Sequence, residues 1–142
     1  MRKELSIKNR VDELEKVAIF IEEIGQELNL DMELQMNLNL VMEEMVSNII
    51  FYAYPEGTEA DIEIMAESDG KELKLVLSDQ GREFDPTLHE DADTDVNPID
   101  REGLGGMGIF IVKNIMNKVT YQRLDGKNLL TMHKEIGENT EE

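Results

Sequence analysis

Glu44 and Asn48 stand four residues apart in a segment whose apolar residues recur at helical spacing. On a helix they fall, together with Asn37, within about 40–60° of one another, beside the apolar stripe. The amide oxygen of Asn48 could bind a hard cation such as Mg²⁺, which prefers oxygen ligands. Glu44 could then accept a proton from a hydroxyl or water that attacks a phosphate. Two hydrophilic residues on the flank of a helix are the alternative, and the pair alone does not exclude it.

A second candidate lies in the sequence SDQGREFDP, which follows an alternating apolar segment. Asp79 stands at the end of this predicted strand, and Gly81 follows two residues later. A carboxylate at such a position could accept a hydrogen bond from an exocyclic amine such as that of adenine. The glycine would let the ring approach the backbone. An ordinary turn is the alternative, because Asp-x-Gly is common in turns.

The third candidate is the glycine-rich segment GLGGMG, which directly precedes an apolar helical pattern. Glycines expose backbone N–H groups and a helix N-terminus carries partial positive charge, so this segment could bind phosphate. The spacing of Gly103, Gly105 and Gly108 matches a dinucleotide-binding fingerprint, but that motif follows a strand, whereas this segment follows a long acidic loop. The Gly-Lys-Ser/Thr of a P-loop is absent from it. A flexible hinge before the helix is the alternative.

The periodicity of the chain predicts the elements that position these residues. The first is a strand at about residues 4–9, followed by helices at about 11–28 and 31–53. A hairpin of strands 60–67 and 72–78 leads into a polar loop at about 80–105. A third helix starts at about residue 109, and a second hairpin pairs strands 118–124 and 128–136. Asp-Gly pairs at the two hairpin turns favour tight antiparallel connections. Helices clustered on one side of such strands predict a two-layer α/β sandwich, formed as a single domain by residues 1–142.

Composition excludes several classes of function. The formal net charge of −18 repels nucleic-acid phosphate and anionic lipid, so neither is an expected partner. The absence of cysteine excludes disulfides, a thiolate nucleophile and the usual zinc sites. No signal peptide and no run of transmembrane length is visible, so the expected location is the cytoplasm.

Taken together and in this order, the three motifs resemble the Bergerat (GHKL) ATP-binding fold, and more closely the RsbW/SpoIIAB-type anti-sigma factors, which are serine kinases. The segment LNLVMEEMVSNIIFYAYP is similar to that family's N-box helix. LVLSDQGREFDP resembles its D-x-G-x-x-F-D-P loop, and GLGGMGIFIVKNIMNKVTY resembles its ATP lid and the helix that follows. The resemblance covers about residues 4–136. It implies a mixed, mostly antiparallel sheet with helices on one face.

The resemblance also implies roles for individual residues. Glu44 would be the general base, Asn48 the magnesium ligand and Asp79 the acceptor for the adenine amino group. The remaining implied nucleotide contacts are Gly81, Arg101, Gly103, Leu104, Gly105, Gly106, Met107, Gly108 and Thr131, with residues 86–105 as the lid. Two departures stand out: Glu83 replaces a second loop glycine, and Leu104 occupies the region of a lid arginine, which leaves Arg101 as the nearest cation.

The implied function is a Mg²⁺-ATP-dependent kinase that phosphorylates a serine on a STAS-type anti-anti-sigma protein. The unphosphorylated anti-anti-sigma protein would compete with a sigma factor for binding to this chain. A homodimer is also implied. One alternative is a partner-binding module that uses ATP to order its lid without phosphoryl transfer. Another is a histidine-kinase-like ATPase domain, which would need a phosphoacceptor histidine on a dimerisation helix. His89 lies in the acidic loop, and the first two predicted helices contain no histidine.

Overall fold

The computed structural model describes residues 1–89 and 106–137. Within these ranges five strands form one sheet, and three α-helices pack against it. The strands are β1 Arg2–Lys8, β2 Asp61–Ser68, β3 Glu72–Asp79, β4 Lys118–Leu124 and β5 Lys127–Glu135. The helices are α1 Leu14–Glu27, α2 Met32–Tyr52 and α3 Gly106–Ile115, with short 3-10 turns at Val11–Glu13 and Pro86–His89.

The sheet has the order β1-β2-β3-β5-β4, and every pairing in it is antiparallel. The two-layer α/β sandwich is confirmed, and among the described strands the sheet is wholly antiparallel rather than mixed as the family resemblance implied. The connectivity explains the difference. After β4 the hairpin reverses the chain, so β5 lies between β3 and β4, and two strands that run in the same direction are never neighbours.

One face of the sheet is covered and the other is open. Every second side chain is buried from Ile62 to Ala66 in β2 and from Leu73 to Asp79 in β3, and the intervening ones are exposed or half-buried, as expected when helices cover a single face. The buried side chains of α1 and α2 pack on this face, with Ile21, Ile24, Leu38 and Met42 fully buried. The helices on one face are therefore confirmed.

Local sequence sets the ends of α2, the helix that carries Glu44 and Asn48. Asp31 caps its N-terminus by accepting a hydrogen bond from the backbone N–H of Leu34 at 2.8 Å. The helix ends at Tyr52, and the backbone N–H of Ala53 donates to Ile49 O at 3.0 Å. Its last turn therefore arrives beside the end of β3. No helix in the described part of the chain is long and apolar enough to cross a membrane.

Candidate functional site

A narrow cavity lies between the C-terminal half of α2 and the ends of the three strands β3, β4 and β5. It is largely apolar, and its volume is about 30 Å³. Its polar lining consists of two amides, a carboxylate and a phenol. The lining residues are Met45, Asn48, Ile49, Ala53, Leu77, Asp79, Phe84, Pro86, Tyr121, Asn128 and Leu130. A few polar groups converging in an apolar pocket are typical of a ligand site.

Asp79 is the last residue of β3, and its side chain is only 5% exposed. Its Oδ1 accepts two hydrogen bonds, from the backbone N–H of Gly81 at 2.8 Å and from Nδ2 of Asn128 at 3.0 Å. Within the described residues no hydrogen bond reaches Oδ2. One oxygen of a buried carboxylate thus remains available as an acceptor beside the cavity, as recognition of an exocyclic amine requires.

Gly81 packs against the end of α2. A Cβ at this position would lie 2.4 Å from Ala53 O and 2.6 Å from Ala53 Cβ. The next residue, Arg82, donates its backbone N–H to the same carbonyl at 2.9 Å. Gly81 itself does not line the cavity, whereas Ala53 does. The structure therefore gives this glycine a packing role that the sequence did not suggest: it lets the loop after β3 approach α2.

Asn48 points from α2 into the cavity and is 6% exposed. Its Nδ2 is buried and has no hydrogen-bond partner within residues 1–89 and 106–137. An amide with unmet hydrogen-bonding capacity is costly unless something else satisfies it. Within those same ranges no group of three or more His, Cys, Asp or Glu could hold a metal without further ligands. The open N–H group of Asn48 would suit an acceptor oxygen of a ligand, and the amide oxygen of the same side chain is of the kind that a hard cation such as Mg²⁺ prefers.

Glu44 lies one helical turn before Asn48, and its carboxylate contacts the first turn of α3. A Cβ at Gly108 would lie only 2.7 Å from Glu44 Oε1. The Glu44 side chain is partly buried, and this burial raises its pKa, with a smaller contribution from the neighbouring charge of Glu43. A carboxyl group with a raised pKa at a helix N-terminus is suited to exchange a proton with a bound substrate.

The structure does not bring Thr131 to the cavity. Side chains alternate along β5, with Asn128, Leu130 and Met132 buried on the helix-covered face. Thr131 therefore points to the open face of the sheet, opposite Val76 and Thr120 on the adjacent strands. Thr131 is therefore absent from the cavity lining, where Asn128 and Leu130 stand instead, and its contact with adenine stays a prediction that this arrangement does not support.

The glycine-rich segment is described only in part. Gly106 and Met107 form the start of α3, and Gly108 is buried against Glu44. The positions Arg101, Gly103, Leu104 and Gly105, with most of the expected lid, lie outside the described residues. Their roles remain predictions.

Asn128 and Tyr121 are cavity residues that the sequence did not single out. Asn128 faces Asp79 directly in the register of β3 and β5, and the hydroxyl of Tyr121 donates to Asn128 Oδ1. No spacing rule could have revealed them, since 49 positions separate Asn128 from Asp79 and only strand pairing joins them. The only indication in the sequence was the short Asp-Gly turn, which places Asn128 at the start of a strand.

This fold, with an acceptor carboxylate at a strand end and an amide and a carboxylate on one helix, defines a nucleotide-binding domain of the ATPase class. A family model described as "Histidine kinase-like ATPase domain" matches residues 7–134. The chain therefore belongs to the histidine kinase-like ATPase domain family, and its resemblance to the RsbW-type members is confirmed.

Two named relatives agree with this classification, and a solved structure shares the fold. The chain is 30% identical over 99 residues to the serine/threonine-protein kinase BtrW of Bordetella bronchiseptica, covering 70% of this chain and 69% of that one. It is 31% identical over 91 residues to the serine-protein kinase RsbW of Staphylococcus epidermidis, covering 61% and 57% respectively. The fold is similar to a structure of the RsbU and RsbW domains of Rv1364c from Mycobacterium tuberculosis, with a TM-score of 0.69 and 12% identity over 96% of this chain and 32% of that one.

Proposed function

We propose that this chain is a Mg²⁺-ATP-dependent protein kinase that phosphorylates a serine of a small STAS-type antagonist protein. The contact between Glu44 and Gly108 is the observation that carries the proposal. It places a carboxyl group with a raised pKa at the N-terminus of α3, one turn from the amide of Asn48. The relatives BtrW and RsbW, whose names describe serine kinases, support the same activity.

In this proposal the adenine enters the cavity from the side of the loop after β3. Its amino group donates to Oδ2 of Asp79. The present cavity of about 30 Å³ has room for about two water molecules and not for a purine. Phe84 and Pro86 come from the loop after β3 rather than from α2 or the sheet. These two residues would therefore move outward as the ring binds.

The phosphates would extend from the cavity towards the N-terminus of α3. There the segment from Gly103 to Gly108 would offer backbone N–H groups, and Arg101 would add a positive charge. Asn48 would hold Mg²⁺ through its amide oxygen, and the bound ion would neutralise charge on the phosphates.

Glu44 would act on the attacking serine. It would accept the hydroxyl proton as the serine oxygen forms a bond to the γ-phosphorus. The bond from the γ-phosphorus to its bridging oxygen would break, and ADP would leave with that oxygen. Phosphoserine and ADP are the products, and the proton remains on Glu44 until it passes to water.

We further propose that the unphosphorylated antagonist and a sigma factor compete for this protein in the cytoplasm, and that the chain binds them as a homodimer. The alignments with the RsbW relatives cover 57% of their length.

A phosphoryl-transfer assay tests the central step. Labelled ATP, Mg²⁺ and a candidate STAS protein would be incubated with the wild-type protein, Glu44→Gln and Glu33→Gln. Glu33 is a matched control because it is an exposed glutamate in the first turn of the same helix. We expect label on the antagonist's serine with wild type and Glu33→Gln, and a loss of about 100-fold or more with Glu44→Gln. Undiminished transfer by Glu44→Gln would refute its role as the base. ATP-dependent binding of the partner without phosphoserine would favour a partner-binding module.

A further inference from the structure

We infer that Asn128 is a positioning residue that sets the preference for adenine by fixing the carboxylate of Asp79. This inference rests on the proposed ATP site and adds a residue to it. Asn128 is buried in the site: it is 6% exposed, lines the cavity and pairs with Asp79 in the register of β3 and β5.

The amide nitrogen of Asn128 holds the carboxylate in one orientation. Nδ2 donates to Asp79 Oδ1 at 3.0 Å and to the backbone carbonyl of Arg82 at 2.8 Å. Oδ1 of Asp79 also accepts from the N–H of Gly81. Two donors thus fix one carboxylate oxygen, and the other oxygen of this cavity-lining side chain keeps its acceptor capacity. Free rotation of the carboxylate would instead spread its acceptor capacity over several directions.

The amide oxygen of Asn128 is fixed as firmly as its nitrogen. It accepts from Nη1 of Arg123 at 3.1 Å, from the hydroxyl of Tyr121 and from the backbone N–H of Phe84 at 3.4 Å. Nη1 of Arg123 also donates to Gly81 O at 2.8 Å. Because three donors surround the oxygen, the amide cannot turn over without placing its N–H groups against other donors. Nδ2 must therefore face Asp79.

The same amide joins Asp79 to the loop that covers the cavity. Its contacts with Arg82 O and Phe84 N reach both sides of Glu83. Phe84 itself lines the cavity. Any change that frees the amide would therefore loosen both the Asp79 carboxylate and the loop that carries Phe84. The site would then discriminate less strongly against a base that has an oxygen in place of the amine.

Nucleotide preference tests this inference. Dissociation constants for ATP and for inosine triphosphate, which carries an oxygen in place of the 6-amino group, would be measured for wild type, Asn128→Leu, Asn128→Asp and Ser78→Ala. Aspartate matches asparagine in volume and shape, leucine matches its branching but is larger, and neither has an N–H to donate to Asp79. Aspartate would also have Arg123 beside it as a counter-charge. Ser78 is the control, because it neighbours Asp79 but points to the open face of the sheet.

We expect wild type and Ser78→Ala to prefer ATP by the same factor, and both Asn128 variants to lose about tenfold or more of that preference. Melting temperatures and circular dichroism identify the variants that remain folded. If Asn128→Leu does not fold, the nucleotide preference is measured with Asn128→Asp. An unchanged ATP-to-inosine ratio in a folded Asn128 variant would overturn the inference while leaving ATP binding intact. Failure of the wild type to bind ATP would instead refute the proposed function itself.

Discussion

The carboxylate of Glu44 on α2 lies against Gly108 on α3, in space that a β-carbon at residue 108 would occupy. This contact joins the helix that carries the proposed base to the N-terminus proposed to bind phosphate. It also makes the glycine at 108 necessary for a reason separate from backbone flexibility: any side chain there would displace the acid.

Gly108→Ala should separate activity from stability. The new methyl group would meet only the tip of a flexible side chain, Glu44 Oε1 at 2.7 Å. The carboxylate would move, and phosphoryl transfer should fall by about tenfold or more. Stability should be unchanged or should rise by up to about 1 kcal/mol, because alanine favours a helix over glycine. Transfer kinetics and urea denaturation measure the two effects.

Gly25→Ala is the matched control. Gly25 is also a helical glycine whose added β-carbon would meet a side-chain tip, that of Gln35. It lies in α1, outside the cavity lining. We expect it to retain full transfer activity. Equal activity in both variants would show that the position of Glu44 against α3 does not matter for transfer.

The pH dependence of transfer should report Glu44. Because burial raises its pKa, the base form is lost as pH falls through a value above that of an ordinary glutamate, near 4.3. Activity should therefore fall on acidification at a higher pH than a free carboxyl group would require. The free energy of unfolding should change in the other direction. A carboxyl group whose pKa is raised in the folded state contributes stability at low pH, and this contribution is lost as the pH rises through that pKa.

Glu43→Gln tests the cause of this shift. The charge of Glu43 is the second contribution to the raised pKa of Glu44. Its removal should move the acidic limb of the transfer profile to lower pH, whereas Glu33→Gln, near the other end of α2, should leave it in place. Identical profiles for wild type and Glu43→Gln would contradict the assignment of this limb to Glu44.

Gly81→Ala should destabilise the fold. Here the added β-carbon would meet backbone, Ala53 O at 2.4 Å and Ala53 Cβ at 2.6 Å, so the loop or the end of α2 must shift. Overpacking of this kind costs roughly 1–3 kcal/mol. The free energy of unfolding from urea titration measures it, with Gly108→Ala as the comparison in which only a side chain yields. A stability equal to wild type would show that the loop accommodates the methyl group freely.

Asp79 should discriminate between adenine and guanine. Mg²⁺-ATP is expected to raise the melting temperature more than Mg²⁺-GTP does, since guanine presents an oxygen to Asp79 where adenine presents an amine. Asp79→Asn should reduce the difference, because an amide can turn its N–H groups towards that oxygen. Equal stabilisation of the wild-type protein by both nucleotides would refute the role of Asp79 in base recognition.

Much of the fold follows from local sequence. The alternation in β2 and β3, the Asp-Gly turns and the Asp31 cap each act over a few residues, so the chain displays them directly. The positions of Glu44, Asn48 and Asp79 were found for a related reason: helix periodicity and the end of a strand predict which face or edge a side chain occupies. The resemblance to a known family then joined motifs that were weak one at a time.

Thr131 and Asn128 show where this reasoning stops. Both lie on β5, and a choice between them depends on which face of that strand meets the helices and which residue pairs with Asp79. A shift of one residue in register exchanges the two faces of a strand.

The sequence by itself determined the element types, the two-layer α/β arrangement and the ATP-type motifs, because these depend on short-range periodicity, turn chemistry and motif order. Tertiary structure alone decided that the described sheet is wholly antiparallel, that Gly81 faces Ala53, that Glu44 lies against Gly108 and that Asn128 holds Asp79. Each of these depends on the packing or pairing of residues far apart in the chain, and no local pattern encodes such a contact.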